Sequence, residues 1–322
     1  MKKRTLALGL FLTLTSLSYG CASNIKKEKD VTSKVYEKVE KKYITDARAQ
    51  WISRNTIAWK LPDYNRSYYD FSINYSPNAD IIKKDGKISG GKSVKLKFKG
   101  PIEDGDPILT KYPYLKGYMK LDTSNIEQER LKPEILRSNI IISASNVNGE
   151  LLDATQIQNY GVLDEIYNYT KNDLGLTFNR FNQPTLKIWA PTAKSVKVLF
   201  FNNPNDITPV KIRKLDEQVN EGVWTYSGVD EWIGMYYLYE VEVYSPLSGT
   251  VETNYVTDPY SLNLSPNGKK SQIVNLDEPK VKPDGWDSLK KPELDSFTDI
   301  SLYELHVRDF SIKDPITPTI LP

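Results

Sequence analysis

Between Met235 and Tyr244 the chain reads Met-Tyr-Tyr-Leu-Tyr-Glu-Val-Glu-Val-Tyr. Met235, Tyr237, Tyr239, Val241 and Val243 fall on one side of an extended chain, and Glu240 and Glu242 on the other. A period of two suits a strand with one face buried and does not suit a helix, whose period is 3.6. The same alternation recurs at Val94-Lys95-Leu96-Lys97-Phe98 and at Leu186-Lys187-Ile188-Trp189. Further apolar runs lie at Tyr68–Tyr75, Ile140–Ala144, Val196–Phe201 and Val223–Tyr226. Asp85-Gly86 and Asn148-Gly149 are turn dipeptides that accept positive φ and therefore suit hairpins.

These runs predict a mainly β chain of two tandem β-sandwich domains of the immunoglobulin-like type, over residues 45–160 and 161–278. A short helical turn is expected at Asp164–Asn168. Pro279, Pro283 and Pro292 mark a linker over 279–298. Asp299–Val307 is expected to form one more apolar strand before the proline-broken stretch Asp314–Pro322.

The chain begins with an export signal over residues 1–20: Lys2, Lys3 and Arg4, then the apolar run Leu6–Leu17, which is too short to span a membrane. Cys21 is the only cysteine and stands where a lipoprotein is acylated. Residues 21–44, rich in Lys and Glu, read as a tether from that anchor. The expected location is the bacterial cell envelope or surface, with a membrane contact made through the lipid. One cysteine allows no intrachain disulfide, and with His306 as the only histidine no zinc cluster of Cys and His can form. No metal site or cofactor is expected. A net charge of +2 with no basic cluster points away from nucleic acid.

Four stretches carry a resemblance. Trp189-Ala190-Pro191-Thr192-Ala193, followed by Val196–Phe201, resembles the start of carbohydrate-binding module family 48. Gly161-Val162-Leu163-Asp164, Tyr169 and Asp173-Leu174-Gly175 are similar to the pullulanase branch of enzymes that carry it. Thr257-Asp258-Pro259-Tyr260-Ser261, Leu276 and Lys282–Trp286 resemble the exit of that module. Asp299–Ser311 resembles the first barrel strand of type I pullulanases and plant limit dextrinases. The resemblance spans about 161–311. Over 45–160, Ala47–Trp51, Trp59 and Asp153-Ala154-Thr155 resemble the additional N-terminal pullulanase domain.

The resemblance implies hydrolysis of α-1,6 linkages in pullulan, amylopectin and limit dextrins, with an α-glucan as the partner. Retaining hydrolysis needs two carboxyl groups about 5–5.5 Å apart. In this family they sit on later strands of a (β/α)8 barrel, which needs about 250 residues. Residues 299–322 would supply its first strand alone. No position matches a catalytic carboxylate, and none is assigned. Glu304 and Asp309 stand five apart, roughly 16 Å on an extended chain, too far for the pair. His306 reads as a structural histidine of the strand. Trp189 and Trp224 read as core. The loops Asn202–Asn205 and Ser245–Gly249 hold no ring, unlike those of glucan-binding relatives, so packing against the barrel is the expected role of the module. Trp232 and Tyr260 are the aromatic candidates for glucan contact. The expectation is an inactive, truncated N-terminal fragment of a debranching enzyme. The alternatives are a non-catalytic glucan-binding surface lipoprotein and one half of a split enzyme whose second chain bears the barrel.

Overall fold

The computed structural model describes residues 43–61 and 69–313. The signal segment, Cys21 and nearly all of the tether lie outside the described residues, as does the stretch from Asp314 on. The chain divides into two units, 1–275 and 276–322.

The first domain of the larger unit is built from β1 (Ala49–Ser53), β2 (Thr56–Trp59), β3 (Asp70–Ser76), the small hairpin β4 (Ile82–Lys84) and β5 (Lys87–Ser89), β6 (Lys92–Pro101), β7 (Met119–Asp122), β8 (Asn139–Ser145) and β9 (Leu151–Gln158). Here the structure corrects the expected sandwich. The strands close into a barrel in the order β1-β2-β7-β6-β3-β8-β9. Closure is made by a parallel pairing of β1 with β9, Ala49 opposite Ile157 and Gln50 opposite Gln158. Alternation says that one face of each strand is buried. It does not say whether a second sheet or the curl of the same sheet does the burying. Inside lie Trp51, Trp59, Phe71, Ile73, Tyr75, Leu121 and Ile142, all nearly free of solvent. Asp85-Gly86 turns the small hairpin with both residues at positive φ, as two-residue hairpins require.

A helix, Tyr160–Ile166, follows β9 and lies against β1. A Cβ on Gly161 would meet the carbonyl oxygen of Ile52 at 2.5 Å, so only glycine permits this approach. Val162 and Tyr167 are buried in the barrel core. The first core therefore runs past residue 160, where the sequence placed the boundary.

The second domain comprises β10 (Gly175–Phe178), β11 (Pro184–Trp189), β12 (Ala193–Phe201), β13 (Lys211–Lys214), β14 (Asp216–Gln218), β15 (Val223–Ser227), β16 (Tyr236–Ser245), β17 (Thr250–Val256) and β18 (Ser271–Gln272). One antiparallel sheet has the order β10-β11-β15-β14. The other has the order β13-β12-β16-β17, with β18 beside β16. Leu186, Ile188 and Trp224 of the first sheet share a core with Val196, Val198, Phe200, Tyr237 and Tyr239 of the second.

Polar groups of the two domains are joined where they meet. Arg137 forms a bidentate ion pair with Glu217, and Lys132 Nζ donates to Asn220 O at 3.0 Å. The Lys132 ammonium stands 5.1 Å over the Tyr167 ring, and burial lowers its pKa.

The smaller unit carries short 3₁₀ turns at Pro279–Val281, Trp286–Ser288 and Phe297–Asp299, and a helix at Val307–Ser311. The strand expected over Asp299–Val307 is absent from the described residues, and a helix starts where that strand should end. A parallel barrel strand exists only between hydrogen-bonded neighbours, and none of residues 276–313 is a strand. His306 caps this helix, its Nδ1 accepting the Asp309 N–H at 3.3 Å.

Candidate functional site

Of the two aromatic candidates, the structure brings one to a cleft and removes the other from solvent. Trp232 is 4% exposed. Its ring lies 4.2 Å from that of Phe200 and stacks on Tyr226 at 5.5 Å. It fills the core of the second domain and offers no face to a sugar. Tyr260 is half-buried, follows β17, and has its N–H held by Asp258 Oδ1 at 2.9 Å. A Cβ on Gly175 would come within 2.6 Å of Tyr260 Cβ, so the glycine at the head of β10 makes room for this residue.

Tyr260 lines a cleft of about 290 Å³ with Asp164, Tyr167, Asn168, Tyr169, Leu174 and Trp189. The helix and its exit supply one wall. The end of β11 and the loop after β17 supply the other. Trp189 Nε1 donates to Tyr167 O at 3.1 Å, and the Trp189 ring packs against the first core. Trp189 therefore belongs to the domain junction rather than to the interior of one domain. Trp224 is buried as expected, with its Nε1 donating to Ala190 O at 3.0 Å.

Burial pushes the Tyr167 hydroxyl up to about 12. Burial, and then its hydrogen bond to Asp173, also raises Tyr169. Asp173 is held below the usual carboxylate range, first by Lys187 and then by the Tyr169 hydroxyl. These tyrosines are neutral at physiological pH. The cleft thus offers neutral rings and hydrogen-bonding groups. Among the described residues Asp164 is the one carboxylate in its lining, so these residues do not present the two-carboxyl arrangement of a glycosidase.

Comparison with known proteins places both domains. Residues 46–165 match the pullulanase N2 domain, and residues 173–261 match carbohydrate-binding module 48, the isoamylase N-terminal domain. The chain therefore carries a pullulanase N2 domain followed by a carbohydrate-binding module 48 domain.

Its relatives narrow this class. Over 273 residues the chain is 37% identical to pullulanase 1 of Arabidopsis thaliana chloroplasts, covering 83% of this chain and 27% of that one. It is 30% identical over 286 residues to the pullulanase of Klebsiella pneumoniae, covering 85% of this chain and 25% of the relative. The crystal structure of Klebsiella pneumoniae pullulanase complexed with maltotriose aligns with a TM-score of 0.68 at 27% identity, over 77% of this chain and 22% of that one. The apo pullulanase from the same organism aligns with a TM-score of 0.67 at 26% identity, over 77% and 26%. The chain is a pullulanase-like N-terminal portion, and it spans about a quarter of the length of these relatives.

Proposed function

We propose that the chain serves as the non-catalytic front of a debranching enzyme that cleaves α-1,6 linkages in pullulan, amylopectin and limit dextrins. The observation that carries this reading is the ordered pair of domains, N2 then module 48, within a continuous 37% identity to a plant pullulanase. In this reading the second domain is an immunoglobulin-like sandwich, and the chain alone does not hydrolyse glucan. A chimaera tests it: this chain replaces the matching segment of the Klebsiella pneumoniae enzyme, ahead of that enzyme's catalytic barrel. Release of maltotriose from pullulan is expected from the chimaera and not from the chain alone. A folded but inactive chimaera, or hydrolysis by the isolated chain, would count against the reading.

The proposal includes export and acylation at Cys21, supported by the charged start, the short apolar run and the single cysteine at its end. Cells fed an alkyne-palmitate analogue should label the protein, and the Cys21→Ser variant should lose the label. An unlabelled wild type removes the anchor from the proposal.

A further inference from the structure

The first domain carries a cluster of rings outside the cleft just described. Tyr114 is 57% exposed. Its neighbours Tyr112 and Tyr160 are half-buried. The Tyr112 ring centre lies 6.3 Å from that of Tyr114 at an interplanar angle of 80°, and 6.2 Å from that of Tyr160 at 65°. The hydroxyls of Tyr114 and Tyr160 both reach Gln50 Oε1 on β1, at 3.0 and 2.7 Å, and lie 3.0 Å from each other. Gln50 thus locks two of the rings, and the third makes edge contacts with both. Beside Tyr112 opens a cleft of about 480 Å³, whose polar lining includes Ser53, Lys111, Asp164 and Glu165. That volume falls within the range of about 300–1,000 Å³ of small-ligand clefts.

We infer that this tyrosine corner and its cleft form an accessory α-glucan binding site on the first domain. The inference rests on the reading of the chain as part of a glucan-degrading enzyme. Its ligand class comes from the site's own chemistry. The exposed Tyr114 ring, held rigid by its hydrogen bonds, loses little entropy when a sugar's C–H face packs on it. Ser53 and Asp164 then supply a donor and acceptors that sugar hydroxyls need, beside the Lys111 ammonium, which stands 5.1 Å over the Tyr112 ring. One ammonium against two carboxylates offers no attraction to a phosphate or other anion. The steep ring angles matter most. A flat β-1,4-glucan ribbon calls for coplanar rings, whereas rings at 80° and 65° make a bent surface that suits the curved α-1,4 chain.

Titration calorimetry of the full chain with maltoheptaose tests the site. Binding is expected, with about tenfold loss in Tyr114→Ala and a similar loss in Lys111→Ala, and cellohexaose about tenfold weaker than maltoheptaose. Both substituted side chains are exposed, and an unchanged near-ultraviolet dichroism spectrum would confirm that the variants fold. No binding by the wild type, or binding unchanged in both variants, overturns the site. Equal affinity for cellohexaose overturns its assignment to α-glucan. The chimaera separates this inference from the reading beneath it: an active chimaera with no binding at the tyrosines removes the site alone, and tyrosine-dependent binding with an inactive chimaera removes the reading alone.

Discussion

Replacing Arg137 by alanine is expected to destabilise the larger unit by on the order of 3 kcal/mol, the cost of breaking a mostly buried ion pair from one side. Arg137 precedes β8 in the first domain, and Glu217 lies on β14 in the second. The Arg137 side chain is 10% exposed and that of Glu217 18%. Arg137 Nη1 donates to Glu217 Oε2 at 3.1 Å, Nη2 pairs with Oε1, and Nε donates to Pro191 O at 3.3 Å. The guanidinium also stands 5.7 Å from the centre of the Trp224 ring. Alanine would leave the Glu217 carboxylate and the Pro191 carbonyl without these donors. At roughly 2–4 °C per kcal/mol for a unit of this size, the melting midpoint should fall by roughly 6–12 °C.

The pattern among variants identifies the cause. Glu217→Ala should cost less, because Pro191 O and the Trp224 ring still receive the guanidinium. The double variant should recover part of the loss of Arg137→Ala, because no orphan carboxylate remains. The two domains share this pair, so calorimetry should show one peak for the wild type and a broadened or divided peak for Arg137→Ala. An unchanged midpoint in Arg137→Ala would show that Lys132, Trp189 and the helix after β9 couple the domains without this ion pair.

What the sequence disclosed follows from how local each feature is. The run from Met235 to Tyr244 becomes β16 essentially as its period implies. Tyr237 and Tyr239 are buried, and Glu240 and Glu242 face the other way toward Lys197 and Ser195 of β12. Barrel closure is different. It depends on Ala49 meeting Ile157 across more than a hundred residues, and nothing in either segment announces the other. Asp299–Val307 shows the same limit from the other side. Its apolar pattern suits a strand, but strand formation is a property of pairs.

The candidate sites divide in the same way. Tyr260 sits beside a Gly175 that makes room for it, and its motif pointed to it. Trp232 lies between turns in the sequence, where a ring reads as exposed, yet it folds back onto Phe200 and Tyr226. The tyrosine corner escaped the sequence reading because Gln50, Tyr112 and Tyr160 come from three distant segments. The high tyrosine content, 21 residues, was the only sign of it.

Replacing Asp258 by alanine is expected to cost on the order of 4 kcal/mol, because it strips a buried acceptor from several donors at about 1–3 kcal/mol each. Asp258 is 3% exposed. Its Oδ2 accepts from the Tyr237 hydroxyl at 2.8 Å and faces that of Tyr239 at 3.5 Å, while its Oδ1 accepts the Tyr260 N–H. Its own N–H donates to Ser271 Oγ at 3.0 Å. One carboxyl thus ties the chain after β17 to two core tyrosines of β16, and its backbone ties it to β18. Burial raises the pKa of Asp258 above the ordinary carboxylate value, and the hydrogen bonds only partly offset this.

The sign of the pH effect follows from that direction. A folded pKa above the unfolded one means that the folded state holds the proton more tightly. The contribution of Asp258 to stability is then fully present below about pH 3.9 and is lost as pH rises through the raised folded pKa. Asp258→Asn cannot titrate, so the stability advantage of the wild type over this variant should narrow as pH rises above about 4 and through the raised folded pKa. Urea unfolding of both proteins across that range measures the difference directly. An advantage that widened with rising pH would show that the tyrosine hydroxyls and the Tyr260 N–H stabilise the carboxylate more than burial penalises it. The cluster would then be an anion held by its donors rather than a buried acid.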